Sequence, residues 1–221
     1  ALPATTIDSV PADVIDNLTD AEVAGLSDAQ LAALTSDQMA ALATAGKLDN
    51  LTNAQVLALP ATTIDSVPAD VIDNLTDAEV AGLSDAQLAA LTSDQMAALA
   101  TAGKLDNLTN AQVLALPATT IDSVPATVID NLTDAEVAGL SDAQLAALTP
   151  AQIVAMETAG NLDNLTAAQI SKLAPLTIAA LSDATMAALA TAGKLDNLTN
   201  AQVIALPATT IDSVPADVID N

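Results

Sequence analysis

Residues 18–41 read LTDAEVAG (18–25), LSDAQLAA (26–33) and LTSDQMAA (34–41). Each octapeptide has an apolar first residue, a hydroxyl-bearing second, Glu or Gln at the fifth and an apolar sixth. Thr or Ser followed three residues later by Glu or Gln is the capping box. The hydroxyl accepts a backbone N–H of the first helical turn, and the Glu or Gln side chain reaches back to the N-cap N–H. The pattern recurs at Thr19/Glu22, Ser27/Gln30, Thr35/Gln38, Thr52/Gln55, Thr76/Glu79 and Ser84/Gln87. Each octad therefore opens a helix at its second residue.

Cutting before each recurring Leu, Val or Met extends the pattern in both directions. LPATTIDS (2–9) and VPADVIDN (10–17) precede the quoted stretch; the nonapeptide LATAGKLDN (42–50) and LTNAQVLA (51–58) follow it. Six octads and one nonapeptide make a 57-residue unit, present as Leu2–Ala58 and again almost unchanged as Leu59–Ala115. A third copy begins at Leu116, diverges after about Leu148 and regains register at Leu206. The expected organisation is one continuous tandem array over 1–221, with repeats at 2–58 and 59–115, a diverged stretch 116–205 and a partial repeat 206–221.

A single long helix is excluded, because eight residues at about 100° each drift the Leu positions by roughly 80° per octad. Capping boxes and prolines such as Pro3, Pro11, Pro60 and Pro68 would also interrupt it. A β-solenoid fails on parity, since the first and sixth positions would face opposite sides of a strand. The prediction is an all-α solenoid of very short helices, one per 8–9-residue segment, capped at the second position and ending near the next Leu. The sixth position and the following first position share a helical face and form the inward stripe. Asn17 is expected in the left-handed conformation at a helix C-terminus. Gly46, with Gly103, Gly160 and Gly193, is expected to end a longer helix that starts near Thr35 in the first copy. Helices this short hold only by stacking on their neighbours.

Composition narrows the function. The 221 residues include no Phe, Tyr, Trp, Cys, His or Arg, so the core is built from Leu, Ile, Val, Met and Ala. The 28 Asp and Glu against four Lys (Lys47, Lys104, Lys172, Lys194) give a net charge of −24. That balance argues against nucleic acid and anionic membrane surfaces, which demand clustered Lys or Arg. No apolar run approaches the roughly 18 residues of a membrane span. The chain starts without Met and shows no signal peptide, so it reads as an excised or mature piece of something longer.

No residue set suits catalysis, and the chain is expected not to be an enzyme. Ser171–Lys172 occurs once, and adjacent residues on a helix do not face each other. No cofactor site is expected. Asp49, Asp65, Asp70 and Asp73 are the candidate Ca²⁺ ligands, forming rows if like copies stack in register. Their alternative role is as caps and turn formers. Asn-Leu-Thr recurs seven times, from Asn17 to Asn197; it is formally a glycosylation sequon, but equally a helix-ending Asn before an N-cap Thr. Thr62–Thr63 and its copies are too sparse for a flat ice-binding array.

The octads resemble the "L-T-x-A-Q-V-x-A-L" arrays of very large, acidic, repetitive bacterial surface and secreted proteins, often labelled adhesins. The likeness rests on the first and sixth positions, as in Leu26/Leu31 and Leu51/Val56, and covers nearly the whole chain. LPATTIDS and VPADVIDN depart from the simple array. The resemblance implies an extended scaffold or shaft of an adhesin or matrix fibre, extracellular or on the cell surface, and brings no functional site with it. The expected partners are other copies or neighbouring repeats of a longer chain, with no nucleic acid and no membrane insertion. A self-assembling filament subunit and a Ca²⁺-dependent surface-binding module are the other classes this sequence allows.

Overall fold

A computed structural model describes residues 3–219. Among these residues every regular element is helical, with segments of 3 to 10 residues and no strand. The expected capping boxes form: the side chains of Thr19, Ser27, Thr35, Thr52, Thr76 and Ser84 each accept from the N3 backbone N–H, and the N3 Glu or Gln returns the bond. The inward stripe is also as expected. Sixth-position side chains such as Val23, Leu31, Met39, Val56, Ile64 and Ile72 are fully buried.

Three local expectations are corrected. The first is one helix per segment: the nonapeptide at 42–50 has no helix of its own but completes Ser36–Thr44, which runs on from the preceding octad. As expected, Gly46 ends that helix with φ +65, and Lys47 N–H bonds the carbonyl of Leu42 at 2.9 Å. The second concerns LPATTIDS, which gives a turn and a short 3-10 helix, Ile64–Ser66, Ile121–Ser123 and Ile211–Ser213, in its three later copies. The β-branched run Thr62–Thr63–Ile64 lowers the preference for the α-helix, but it does not decide the form by itself, because the identical first copy makes the α-helix Ala4–Ile7. The third is Asn17: no non-glycine residue among those described has positive φ. Asn17 instead ends its helix through its side chain, Nδ2 donating to the Asp13 carbonyl at 2.6 Å, and Asn74 and Asn131 repeat this with Asp70 and Thr127. An amide that supplies the missing donor removes the need for a left-handed residue.

Gly46 has nothing within 4 Å of an added Cβ, so substitution there tests backbone conformation alone. Gly46→Ala is expected to cost about 1 kcal/mol and Gly46→Asn less, because Asn tolerates the left-handed region better. Urea denaturation of the two variants checks this.

The chain divides into two compact units, Ala1–Ala115 and Leu116–Asn221. In the first, helix Ala12–Ile15 packs under Ser36–Thr44, Asp28–Leu31 under Asn53–Ala58, and Ala69–Ile72 under Ser93–Thr101. In the second, Ala126–Ile129 packs under Pro150–Ala159, and Pro175–Ile178 under Asn200–Ala205. The rule is the same in each unit. A segment lies on the one three segments earlier, 24 residues back across three octads and 25 back where a nonapeptide intervenes. Three segments therefore make one layer, and each layer buries the apolar stripe of the one before.

Candidate functional site

The recurring polar device of the fold is the fifth-position Gln. In Gln55, Oε1 accepts the Thr52 backbone N–H at 2.9 Å, closing its own capping box. Its Nε2 donates to the carbonyls of Ala24 and Leu26, both at 2.9 Å, in the layer beneath. Gln95 does the same with Thr92 above and the carbonyls of Ile64 (2.9 Å) and Val67 (2.6 Å) below. Gln38, Gln87 and Gln112 repeat the arrangement in the first unit, and Gln152 and Gln202 in the second. One amide thus caps a helix and sews it to the previous layer. Among the described residues no buried side-chain N or O lacks a partner. Satisfaction of that kind is needed where two carbonyls per segment are taken out of water.

Where the sequence departs from Gln, another donor appears. Thr177 hydroxyl donates to the Leu148 carbonyl at 2.8 Å; in the nonapeptide 156–164, Asn161, which stands where the other nonapeptides have Lys, donates Nδ2 to Leu132 at 2.6 Å and Asp130 at 3.2 Å. At Glu79 the direction reverses: Asn53 in the layer beneath donates upward to Glu79 Oε2 at 2.8 Å. Ser182 heads an octad with Thr185 in place of Gln, and Glu157 from three segments earlier accepts from its hydroxyl and its backbone N–H.

All four lysines also reach down a layer. Lys47 pairs with Asp20 at 3.1 Å, Lys104 with Asp77 at 3.4 Å and Lys172 with Asp142 at 3.1 Å, while Lys194 Nζ donates to the Asp163 carbonyl. These half-exposed pairs contribute roughly 0 to 1 kcal/mol each. Their effect is on which segment lies over which.

Three carboxyls are held below the ordinary Glu value. For Glu22 and Glu79 the main cause is the bonded backbone N–H of Thr19 and Thr76, followed by the Thr hydroxyls and, for Glu79, the Asn53 amide. Burial pushes Glu157 up, but the bonds from the Ser182 and Thr185 side chains and the Ser182 backbone outweigh it. A carboxyl lowered by folding contributes stability above its unfolded value, about 4.3 for Glu, and that contribution is lost as pH falls through the folded value. Glu79→Gln keeps an Oε1 acceptor for the box without titrating. Comparing urea midpoints at neutral pH and at roughly pH 3, the variant is expected to lose less on acidification than the parent. Repulsion among the other carboxylates is common to both proteins and cancels.

The candidate sites fall as follows. Asp49, Asp65 and Asp70 are exposed and Asp73 is half-buried. Among the described residues no three His, Cys, Asp or Glu are grouped to hold a metal ion. Rows of like Asp cannot build up either, because the 57-residue copy contains seven segments and a layer three, so no octad type lies on a copy of itself. Thermal melts with Ca²⁺ and with a chelator are expected to share one midpoint. Ser171 donates to the Ala168 carbonyl at 2.7 Å while Lys172 points to Asp142, so the two are not paired. Thr63 is buried and donates to the Pro60 carbonyl, which removes it from any flat Thr array. All seven Asn of the Asn-Leu-Thr tripeptides are exposed. The octad pattern gives Gln55 and Gln95 only the capping-box role; their second role as staples to the layer beneath carries no local sequence signal, because the accepting carbonyls are 28 to 31 residues away.

The family model described as the ALTTAQ repeat matches residues 15–44 and 72–101. The two matches are 57 residues apart and cover the same three kinds of octad in two tandem copies. The chain is thus a tandem-repeat segment of octapeptide type. No curated protein matches it. No helix among the described residues is long and apolar enough to cross a membrane.

Proposed function

We infer that the chain is a spacer: a solenoid segment of the shaft or scaffold of an extracellular bacterial adhesin or matrix fibre, with no catalytic activity of its own. The observation that carries this reading is the recurrence of the layer-to-layer staple. In both units fifth-position Gln amides reach the layer beneath, at spacings of 28 residues (Gln95 to Val67, Gln152 to Val124) or 29 (Gln55 to Leu26, Gln202 to Leu173), and Thr177 holds the Leu148 carbonyl where Gln is absent. A fold that adds the same step at every layer converts chain length into reach. A negative, Arg-free surface suits such a shaft, since it discourages collapse onto nucleic acid or neighbouring shafts.

Proteins carrying one, two and three copies of residues 59–115 test the reading. Small-angle scattering or electron microscopy should show the longest dimension rising by an equal step per copy. A dimension that saturates, as for a globule, would sink it.

A further inference from the structure

Residues 116–155 repeat 59–98 with five changes: Asp70, Ser93, Asp94, Met96 and Ala97 become Thr127, Pro150, Ala151, Ile153 and Val154. All five fall in two octads, 124–131 and 148–155. Those octads stack directly, helix Ala126–Ile129 under Pro150–Ala159. Pro175–Ile178 lies on Pro150–Ala159 in turn, and Asn200–Ala205 lies on Pro175–Ile178. The changes therefore gather on one of the three stacks of segments in the second unit.

Ile153 exchanges one buried side chain for another, and Pro150 opens its helix. The other three changes face outward. The fourth octad position is exposed in every octad where it is described, and there it is Ala, Asp or Thr except in 173–180, where it is Leu176. Thr127 and Ala151 stand at this position, and each replaces an Asp. Val154 stands at the seventh, three residues beyond Ala151 and so on the same helical face. Leu176 is 74% exposed and Val154 38%. Both have a layer beneath and a layer above, so they open sideways. Across 124–131, 148–155, 173–180 and 198–205 the only charged residue is Asp130. Every segment of the two neighbouring stacks in this unit carries at least one.

We propose that this uncharged side of the second unit is where two copies of the chain pair side by side. Removing Asp from an outward position favours only a partner that is itself negative. A basic partner loses attraction by it, and a neutral one is indifferent. Nucleic acid and anionic membranes are negative, but they demand clustered Lys or Arg, which this side lacks. A second copy, at −24, fits. In this unit only this side lets two such chains touch without setting carboxylates against each other. A two-fold pair packs Leu176 of one copy on the Val154–Leu176 stripe of the other. Two large side chains among Ala and Thr make a small contact, so the pair is weak. Repulsion between the rest of the two chains makes it tighten with salt. The inference goes beyond the spacer reading and can fail without it, because the spacer test uses residues 59–115, which lack this side.

Sedimentation equilibrium of the whole chain should show a monomer–dimer equilibrium that tightens with salt. Leu176→Asp should weaken it by at least about tenfold at a given salt concentration. The fold accommodates this change, since Asp70 and Asp94 occupy the same exposed position. Thr127→Asp with Ala151→Asp, which restores the residues of the earlier copies, should weaken it likewise. Ala184→Asp adds the same charge at the fourth position of 181–188, on a neighbouring stack, and should leave the equilibrium nearly unchanged. Matching circular dichroism of all variants separates lost pairing from lost folding. A parent chain that stays monomeric up to about 1 mM at high salt overturns the pairing. So does a Leu176→Asp chain as dimeric as its parent, or an Ala184→Asp chain weakened equally.

Discussion

Replacing Gln95 by Glu is expected to destabilise the first unit by about 3 to 5 kcal/mol at neutral pH. The side chain is 2% exposed, and its Nε2 donates to two carbonyls, Ile64 and Val67. Glu keeps the shape and the Oε1 that accepts from Thr92, but sets a carboxylate oxygen against those carbonyls in a dry interface. Burial and the facing oxygens both disfavour its charged form, so its folded pKa lies above the unfolded value. The sign is therefore opposite to that of Glu79. Part of the lost stability returns as pH falls from the folded value toward the unfolded value of about 4.3, where the protonated acid donates in place of the amide. Gln95→Ala lacks that recovery. Urea denaturation of both variants across this range separates the lost donor from lost packing.

Ile72→Ala is expected to cost about 2 to 5 kcal/mol, while Leu176→Ala should stay within about 0.5 kcal/mol. Ile72 is a fully buried sixth-position residue, whereas Leu176 is 74% exposed. Both are large aliphatic residues in four-residue helices, Ala69–Ile72 and Pro175–Ile178, so helix propensity hardly distinguishes them. The contrast tests the claim that these helices are held by the inward stripe rather than by themselves. Thermal melts of the two variants measure it.

The local part of this fold was legible in the chain because capping is local chemistry. Thr19 and Glu22, or Thr52 and Gln55, meet within one turn, so their spacing alone declares the helix start. The inward stripe followed from the same short-range geometry. The number of segments per layer did not, because it is set by Gln95 reaching Val67 and by Asn53 reaching Glu79, contacts between residues 26 and 28 apart. A repeat of near-identical octads offers many such pairings with equal local sense. The Asn17 expectation failed for a related reason. Asn ends helices either by its backbone or by its side chain, and the tripeptide Asn-Leu-Thr does not distinguish them.

The two periods also explain why near-identical repeats settle on one register. With seven segments per copy and three per layer, LATAGKLDN lies on LTDAEVAG in the first two copies, which places Lys47 over Asp20 and Lys104 over Asp77. In the diverged stretch the partners change together. Asn161 stands where the other nonapeptides have Lys and takes up carbonyls instead, while Glu157 completes the cap of an octad that has lost its Gln. Such pairs contribute little energy each, and misplacing a segment by one would leave them unmatched.

The central claim is three segments per layer, and a cysteine scan from one anchor tests it most directly. With Cys at position 53, a second Cys is placed in turn at Val71, Glu79 and Gln87, the fifth positions two, three and four segments later. Under mild oxidation the 53/79 pair is predicted to close within the chain, guided by the 2.8 Å contact between Asn53 and Glu79, while the other two stay reduced. Preferential closure at 71 or at 87 would mean two or four segments per layer and would contradict the architecture described.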